Sequence, residues 1–311
     1  IRELRKNTKM KEFNLPSQHG NLRGVIWDDV QNPIGTIQIA HGLAEYHGRY
    51  IETAKFLNDL GYIVYCNDHL GHGLHILAGK PKGYFKEEGG YDAVVDQLAE
   101  MNLYIRKESP SVNHYILSHS LGTPLTLSLL QRNLSFHGVV LSAPFSLSPG
   151  LLFLNNLLLW PEYTFTDRKS VSKEMEKHTT LKHNSFFEPN RTTHDYLSRD
   201  EVKVDEYIAD PYCGFPKTIQ LWKDLANGFK NLWTKKSFSN IDSKIPFLVL
   251  TGDKDPINEK GKQAEEISNL LIDCGFKSEF MSYKGMRHEP LTEINRDMVM
   301  KKIGSFFASN S

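Results

Sequence analysis

The chain has 311 residues, enough for one large α/β domain carrying an insertion, and its 40% apolar and 24% charged residues, spread without low-complexity tracts, exclude global disorder. Its 37 basic residues balance 37 acidic ones, so no long-range field draws it to nucleic acid or to an anionic bilayer. Three widely spaced cysteines, Cys66, Cys213 and Cys274, with no Cys-x-x-Cys pair, argue against a disulfide framework or a structural zinc and for reduced thiols in the cytoplasm.

Residues 1–9 are mostly charged and polar, lack the apolar core of a signal peptide, and are left out of the fold as a leader, with Met10 as a candidate start. Short β-rich runs then alternate with helical patterns. Strands are predicted at 23–27, 36–40, 63–66, 114–117 and 138–141, and helices at 49–60, 91–106 and 124–132 supply the crossovers that parallel strands need. After Pro144 the rhythm breaks: residues 146–233 are rich in leucine, aromatic and charged residues without strand–helix alternation, and read as a mainly helical insertion. The alternation resumes with a strand at 247–251, a helix at 259–274, a strand at 279–283 and a closing helix at 296–307. The expected architecture is a doubly wound, mostly parallel sheet flanked by helices, assembled from residues 1–145 and 234–311, with the helical insertion at 146–233. The longest apolar run, 151–160, is interrupted by Asn155 and Asn156 and falls short of the roughly 20 residues a membrane helix needs.

Three stretches carry chemistry. Ser118-His119-Ser120-Leu121-Gly122 follows the strand predicted to end at Leu117 and precedes a helical pattern. That is the setting of a nucleophile elbow, where a sharp turn exposes a serine and aims a helix N-terminus at a developing anion. His41-Gly42-Leu43-Ala44-Glu45 lies directly after the strand predicted to end at Ala40, where a loop donates a backbone N–H to an oxyanion hole; the N–H of Leu121 is the expected second donor. The strand at 247–251 runs into Gly252-Asp253-Lys254-Asp255-Pro256-Ile257, so two aspartates compete as triad acid, and Asp255, three residues after the glycine, is the better match. His288 sits on a loop past the following strand and completes the chain order Ser, Asp, His. A serine hydroxyl attacks poorly until an imidazole takes its proton, and the imidazole needs a carboxylate to fix its tautomer. Among 13 histidines, position and not identity singles out His288.

His69, His72 and His75 recur every third residue in a glycine-rich loop, but that spacing does not stack ligands as a helical or hairpin metal site would. Gly71-His72-Gly73 also lacks the pattern of a dinucleotide turn. Neither a metal nor a cofactor is implied.

The run 41–50 (His-Gly-Leu-Ala-Glu-Tyr-His-Gly-Arg-Tyr), the loop 68–73, the elbow and the turn 252–255 together resemble the monoacylglycerol lipase and bacterial lysophospholipase family of α/β hydrolases, over most of the chain from about Lys11 onward. The resemblance implies the α/β-hydrolase fold, a triad of Ser120, Asp255 and His288, oxyanion donors at Leu43 and Leu121, a cap formed by the insertion, and a lipid-like monoester as substrate. Two departures are Ser118 at the first elbow glycine and Thr123 where a further glycine is common.

Within the insertion, the leucine-rich run 151–160 has too many large apolar side chains for a solvated helix. These must pack on the sheet domain, line a pocket or meet a lipid surface, and Leu151, Leu154 and Leu158 are the candidate acyl wall. The function expected is hydrolysis of a single-chain carboxylic ester through an acyl-enzyme. A peptidase or acyltransferase would use the same intermediate, and a binding protein that kept the fold without the reaction is the alternative outside catalysis.

Overall fold

The computed structural model describes residues 9–311. Their backbone builds a single eight-stranded sheet in the order β1-β2-β4-β3-β5-β6-β7-β8. The strands are β1 (Met10–Ser17), β2 (Gly20–Trp27), β3 (Gly35–Ala40), β4 (Tyr62–Asn67), β5 (Asn113–His119), β6 (Gly138–Ser142), β7 (Phe247–Gly252) and β8 (Ser278–Tyr283). From β4 to β8 every neighbouring pair is parallel, whereas β1–β2 and β2–β4 are antiparallel. The crossovers are α1 (Ile51–Asp59), α2 (Gly90–Glu108), α3 (Gly122–Leu130), α7 (Lys262–Asp273) and the closing α8 (Arg296–Ala308).

The central strands are buried along their whole length, which their near-continuous apolar sequences permit because helices cover both faces. Side-chain alternation then sorts neighbours into two cores. Ile116, Val139 and Val249 join one apolar cluster, while Leu117, Val140 and Leu248, each next in sequence to one of them, join the other.

The structure corrects the expected elements in several places. Strand β1 was not expected. Its pattern MKEFNLPS buries little beyond Phe13 and Leu15, and its Pro16 is tolerated because β1 is an edge strand. Met10 is the first residue of this strand, opposite Trp27; of the leader read at 1–9, residues 1–8 lie outside the described residues. Helix α7 starts at Lys262 and not at 259, because Glu259, Lys260 and Gly261 all have positive φ and cannot continue a right-handed helix. Strand β5 extends to His119 and α3 begins at Gly122.

Between β6 and β7 the chain forms α4 (Pro149–Phe165), α5 (Glu201–Ala209) and α6 (Ile219–Gly228), with short helical turns between them. Each of the three begins at a capping side chain: Ser148 accepts from the Leu151 N–H, Asp200 from Lys203 and Thr218 from Leu221. Leu221 and Leu225 of α6 belong to the same core cluster as Leu98 and Leu127, which ties this segment to α2 and α3. No helix among the described residues is long and apolar enough to cross a membrane.

Candidate active site

The parallel strands deliver their C-terminal ends to one edge, where ligands of such sheets bind. Immediately after β5, Ser120 takes a left-handed backbone conformation with φ of 48°, which costs a non-glycine residue about 1 kcal/mol or more. What holds it there is steric and hydrogen-bonded. The Ser120 N–H donates to the Ser142 carbonyl at 3.0 Å, and a Cβ on Gly122 would lie 2.0 Å from the Ala40 carbonyl oxygen, so only glycine lets α3 start against β3. Both departures from the usual elbow find partners: Ser118 Oγ donates to the Val140 carbonyl at 2.9 Å, and Thr123 Oγ1 to the Ser120 carbonyl at 2.8 Å.

Ser120 Oγ lies 2.9 Å from His288 Nε2, and His288 Nδ1 lies 2.9 Å from Asp255 Oδ2. Asp255 is fully buried, and its other oxygen accepts the Ile257 N–H at 2.9 Å. Asp253, the competing aspartate, turns away and accepts the Gly285 N–H at 2.7 Å. Burial of His288 disfavours its charged form, but the adjacent Asp255 carboxylate and its hydrogen bond outweigh that, so the imidazole is raised above its ordinary value. Leu43 and Leu121 line the same cavity as Ser120, and among the described residues neither backbone N–H has a protein acceptor.

Around this cluster lies a buried charge network that the sequence reading quoted as a motif without assigning roles. Arg49 Nη2 donates to Glu289 Oε2 at 2.6 Å, and Glu45 Oε1 accepts from the Gly42 N–H at 2.5 Å and from the Tyr50 hydroxyl at 2.7 Å. Glu45 is pushed up to about 7 by burial and by the nearby Glu289, whereas the Arg49 guanidinium holds Glu289 low against the effect of its own burial. The spacing of Glu45, Arg49 and Tyr50 was visible in the sequence; Glu289 carried no signal beyond standing next to His288.

His69, His72 and His75 are buried, and burial lowers all three, His72 to about 4. Among the described residues no group of three or more His, Cys, Asp or Glu side chains is placed to hold a metal ion.

A cavity of about 320 Å³ opens from Ser120 and His288 toward α4 and α6. Its apolar wall includes Leu152, Leu159, Met175, Trp222, Leu225 and Phe229. Leu151 reaches it, but Leu154 and Leu158 of the expected acyl wall lie outside its lining. For Leu154 the helical period gives the reason: Leu152, Asn155 and Leu159 share one face of α4, and Leu154, two residues beyond Leu152, points about 200° away from it. The outward face instead exposes Phe153 at 71%, Leu157 at 57% and Trp160 at 58%.

Comparison with known proteins follows the same lines. The family model described as "Serine aminopeptidase, S33" matches residues 31–295. The monoglyceride lipase of Rattus norvegicus is 27% identical over 235 residues, covering 74% of this chain and 68% of its own. Phospholipase YtpA of Bacillus subtilis is 30% identical over 277 residues, 88% of this chain and 95% of its own. Among solved structures, a thermostable carboxyl esterase from Bacillus coagulans superposes with a TM-score of 0.87 at 22% identity, over 96% of this chain and 98% of that one. That likeness shows the α/β-hydrolase fold.

Proposed function

This chain belongs to the serine aminopeptidase S33 family and is a carboxylic-ester hydrolase of the α/β-hydrolase class, and we propose that it acts through an acyl-enzyme on a lipid-like monoester such as a monoacylglycerol or a lysophospholipid. The observation that carries this reading is the continuous run from Asp255 through His288 to Ser120, with both contacts at 2.9 Å, at the mouth of an apolar cavity. In this mechanism His288 takes the Ser120 proton as Oγ bonds to the ester carbonyl carbon, and Asp255 holds the imidazole in the tautomer that can accept it. The tetrahedral anion is met by the N–H groups of Leu43 and Leu121. His288 then protonates the departing alcohol, and a water molecule, deprotonated by the same imidazole, releases the acid and restores Ser120.

The segment 146–233 acts as a cap whose inner face receives the acyl chain. Each methylene buried there is worth about 0.8 kcal/mol, which favours longer single chains until the cavity is full. Its outward apolar residues, Phe153, Leu157 and Trp160, suit transient contact with lipid aggregates. A cytoplasmic location belongs to the same reading and is supported by the free thiols Cys66, Cys213 and Cys274. Two measurements test the proposal: labelling of Ser120 by a fluorophosphonate, and turnover of glycerol monoesters and lysophospholipids of graded chain length. A folded protein that neither labels nor cleaves any of these esters overturns it.

A further inference from the structure

The turn 42–45 carries three successive backbone N–H groups beside Ser120, and their fates differ. The Gly42 N–H donates to Glu45 Oε1 at 2.5 Å, and the Ala44 N–H donates to His72 Nε2 at 3.1 Å. Between them, the Leu43 N–H has no protein acceptor among the described residues. We propose that Glu45 and His72 are positioning residues of the oxyanion site, each capturing one flanking N–H so that the turn presents the Leu43 N–H alone to the tetrahedral anion. This inference rests on the hydrolase reading above and assigns roles to a motif glutamate and a loop histidine that the triad leaves unused.

The turn is built for such a clamp. Ala44 has a φ of 55°, a conformation that needs outside support in a residue with a Cβ. That support comes from the N–H bonded to His72 and from the Ala44 carbonyl, which accepts the Gly214 N–H at 2.9 Å and the Tyr207 hydroxyl at 3.1 Å. At Gly42 a Cβ would come within 2.7 Å of Glu45 Oε1, so glycine is what lets the carboxyl group close over the turn. The Tyr50 hydroxyl fixes the same oxygen from the other side at 2.7 Å.

His72 must be neutral to accept from Ala44. Its Nδ1 faces the Leu70 carbonyl at 2.9 Å, which assigns the proton to that nitrogen and leaves Nε2 with its lone pair. The ring is wedged beside Phe85 and Phe215, with centroids 5.9 and 5.2 Å away, and this burial keeps it from charging. A second strut comes from His41, whose Nε2 accepts the His69 N–H at 2.9 Å while His69 Nε2 donates to the His41 carbonyl at 2.9 Å. The loop 68–73 thus braces the oxyanion turn. For Glu45, either protonation state keeps an acceptor oxygen for Gly42, so charge itself is dispensable.

The test compares Glu45→Leu, Glu45→Gln and His72→Phe with wild type on a glycerol monoester. Removing an oxyanion donor outright costs about 100- to 1000-fold, and a mis-aimed donor should cost about 10- to 100-fold in kcat/KM for Glu45→Leu and His72→Phe. Glu45→Gln, which retains the amide oxygen, should stay within about threefold of wild type. Affinity for a trifluoromethyl ketone, which forms the tetrahedral anion, should fall in step with kcat/KM. Affinity for a glyceryl ether of the same chain, which has no carbonyl to seat, should stay within about threefold. A general packing defect would weaken both ligands. If Glu45→Leu does not fold, His72→Phe, which preserves a ring between Phe85 and Phe215, decides alone. An active wild type whose folded variants keep their ketone affinity overturns the clamp but not the hydrolase; a wild type without esterase activity or labelling overturns both.

Discussion

At the C-terminal edge of the sheet, Ser120, His288 and Asp255 are buried and hydrogen-bonded in sequence, whereas α4, packed over the same cavity, leaves Phe153, Leu157, Trp160 and Phe165 more than half exposed. The first region is over-determined. Backbone crowding at Gly122, the Ser142 carbonyl and the Asp255 carboxylate each restrict the same few atoms. The second region is specified on its inner face only, by Leu152 and Leu159. On the proposed reading, the contrast places the chemistry at strand ends, which tolerate little change, and substrate choice on helices that can be altered without touching them.

The sharpest way to break that contrast is at the proposed nucleophile, Ser120. Ser120→Ala and His288→Ala should each lower turnover of a short p-nitrophenyl ester by about 1000-fold or more, because the members of a triad act as a unit. Circular dichroism should show the fold intact. Wild-type-like hydrolysis by folded Ser120→Ala would place the reaction elsewhere.

Next in size is the contest between the two aspartates. Asp255→Asn should lower kcat by about two to four orders of magnitude, since an amide cannot hold the His288 ring in its accepting tautomer. Asp253→Asn, at a side chain that accepts the Gly285 N–H, should leave kcat within about tenfold. The reverse ranking would transfer the role to Asp253.

The pH profile gives a smaller, signed effect. In the proposed mechanism only neutral His288 can accept the Ser120 proton, so kcat/KM should fall as pH drops through its raised value. Stability runs the other way: a pKa raised on folding contributes stability that is fully present below the unfolded value and is lost as pH rises through the folded one. Acid should therefore remove activity without this group destabilising the fold. In Asp255→Asn the residual activity should have its acid limb at lower pH, and an unmoved limb would mean that another group sets it.

The smallest effect sharpens the other half of the comparison. Leu152→Trp or Leu159→Trp should shift the preferred acyl chain to shorter lengths, by several-fold in kcat/KM per carbon removed, as expected for about 0.8 kcal/mol per methylene. Leu154→Trp, on the other side of α4, should leave the chain-length profile unchanged. A profile that moves with Leu154 and not with Leu152 would mean that the acyl chain runs over the outside of the helix.

How much of this was legible before the fold was known follows the strength of local constraint. The runs 36–40, 114–117 and 247–251 are apolar enough to be recognised as buried strands from composition alone. Strand β1 was not legible, because half of its residues are polar, none is fully buried, and only its pairing with β2 makes it a strand. The start of α7 is not legible in the sequence, since nothing in the letters Glu259-Lys260 announces the positive φ both residues adopt.

By itself, the sequence determined the doubly wound order of elements, the elbow around Ser120 and the chain order of Ser120, Asp255 and His288, because periodicity, glycine placement and a strand's end are local properties written in adjacent residues. Only the tertiary structure brought the favoured Asp255 onto His288 and turned Asp253 away, and decided which face of α4 looks into the cavity and that Glu45 and His72 grip the same turn. The contacts of Asp255 with His288 and of His72 with Ala44 join residues 33 and 28 positions apart, and the facing of α4 depends on the rotation of one helix against the sheet. Such distances are set by the packing of the whole core, and no local pattern encodes them.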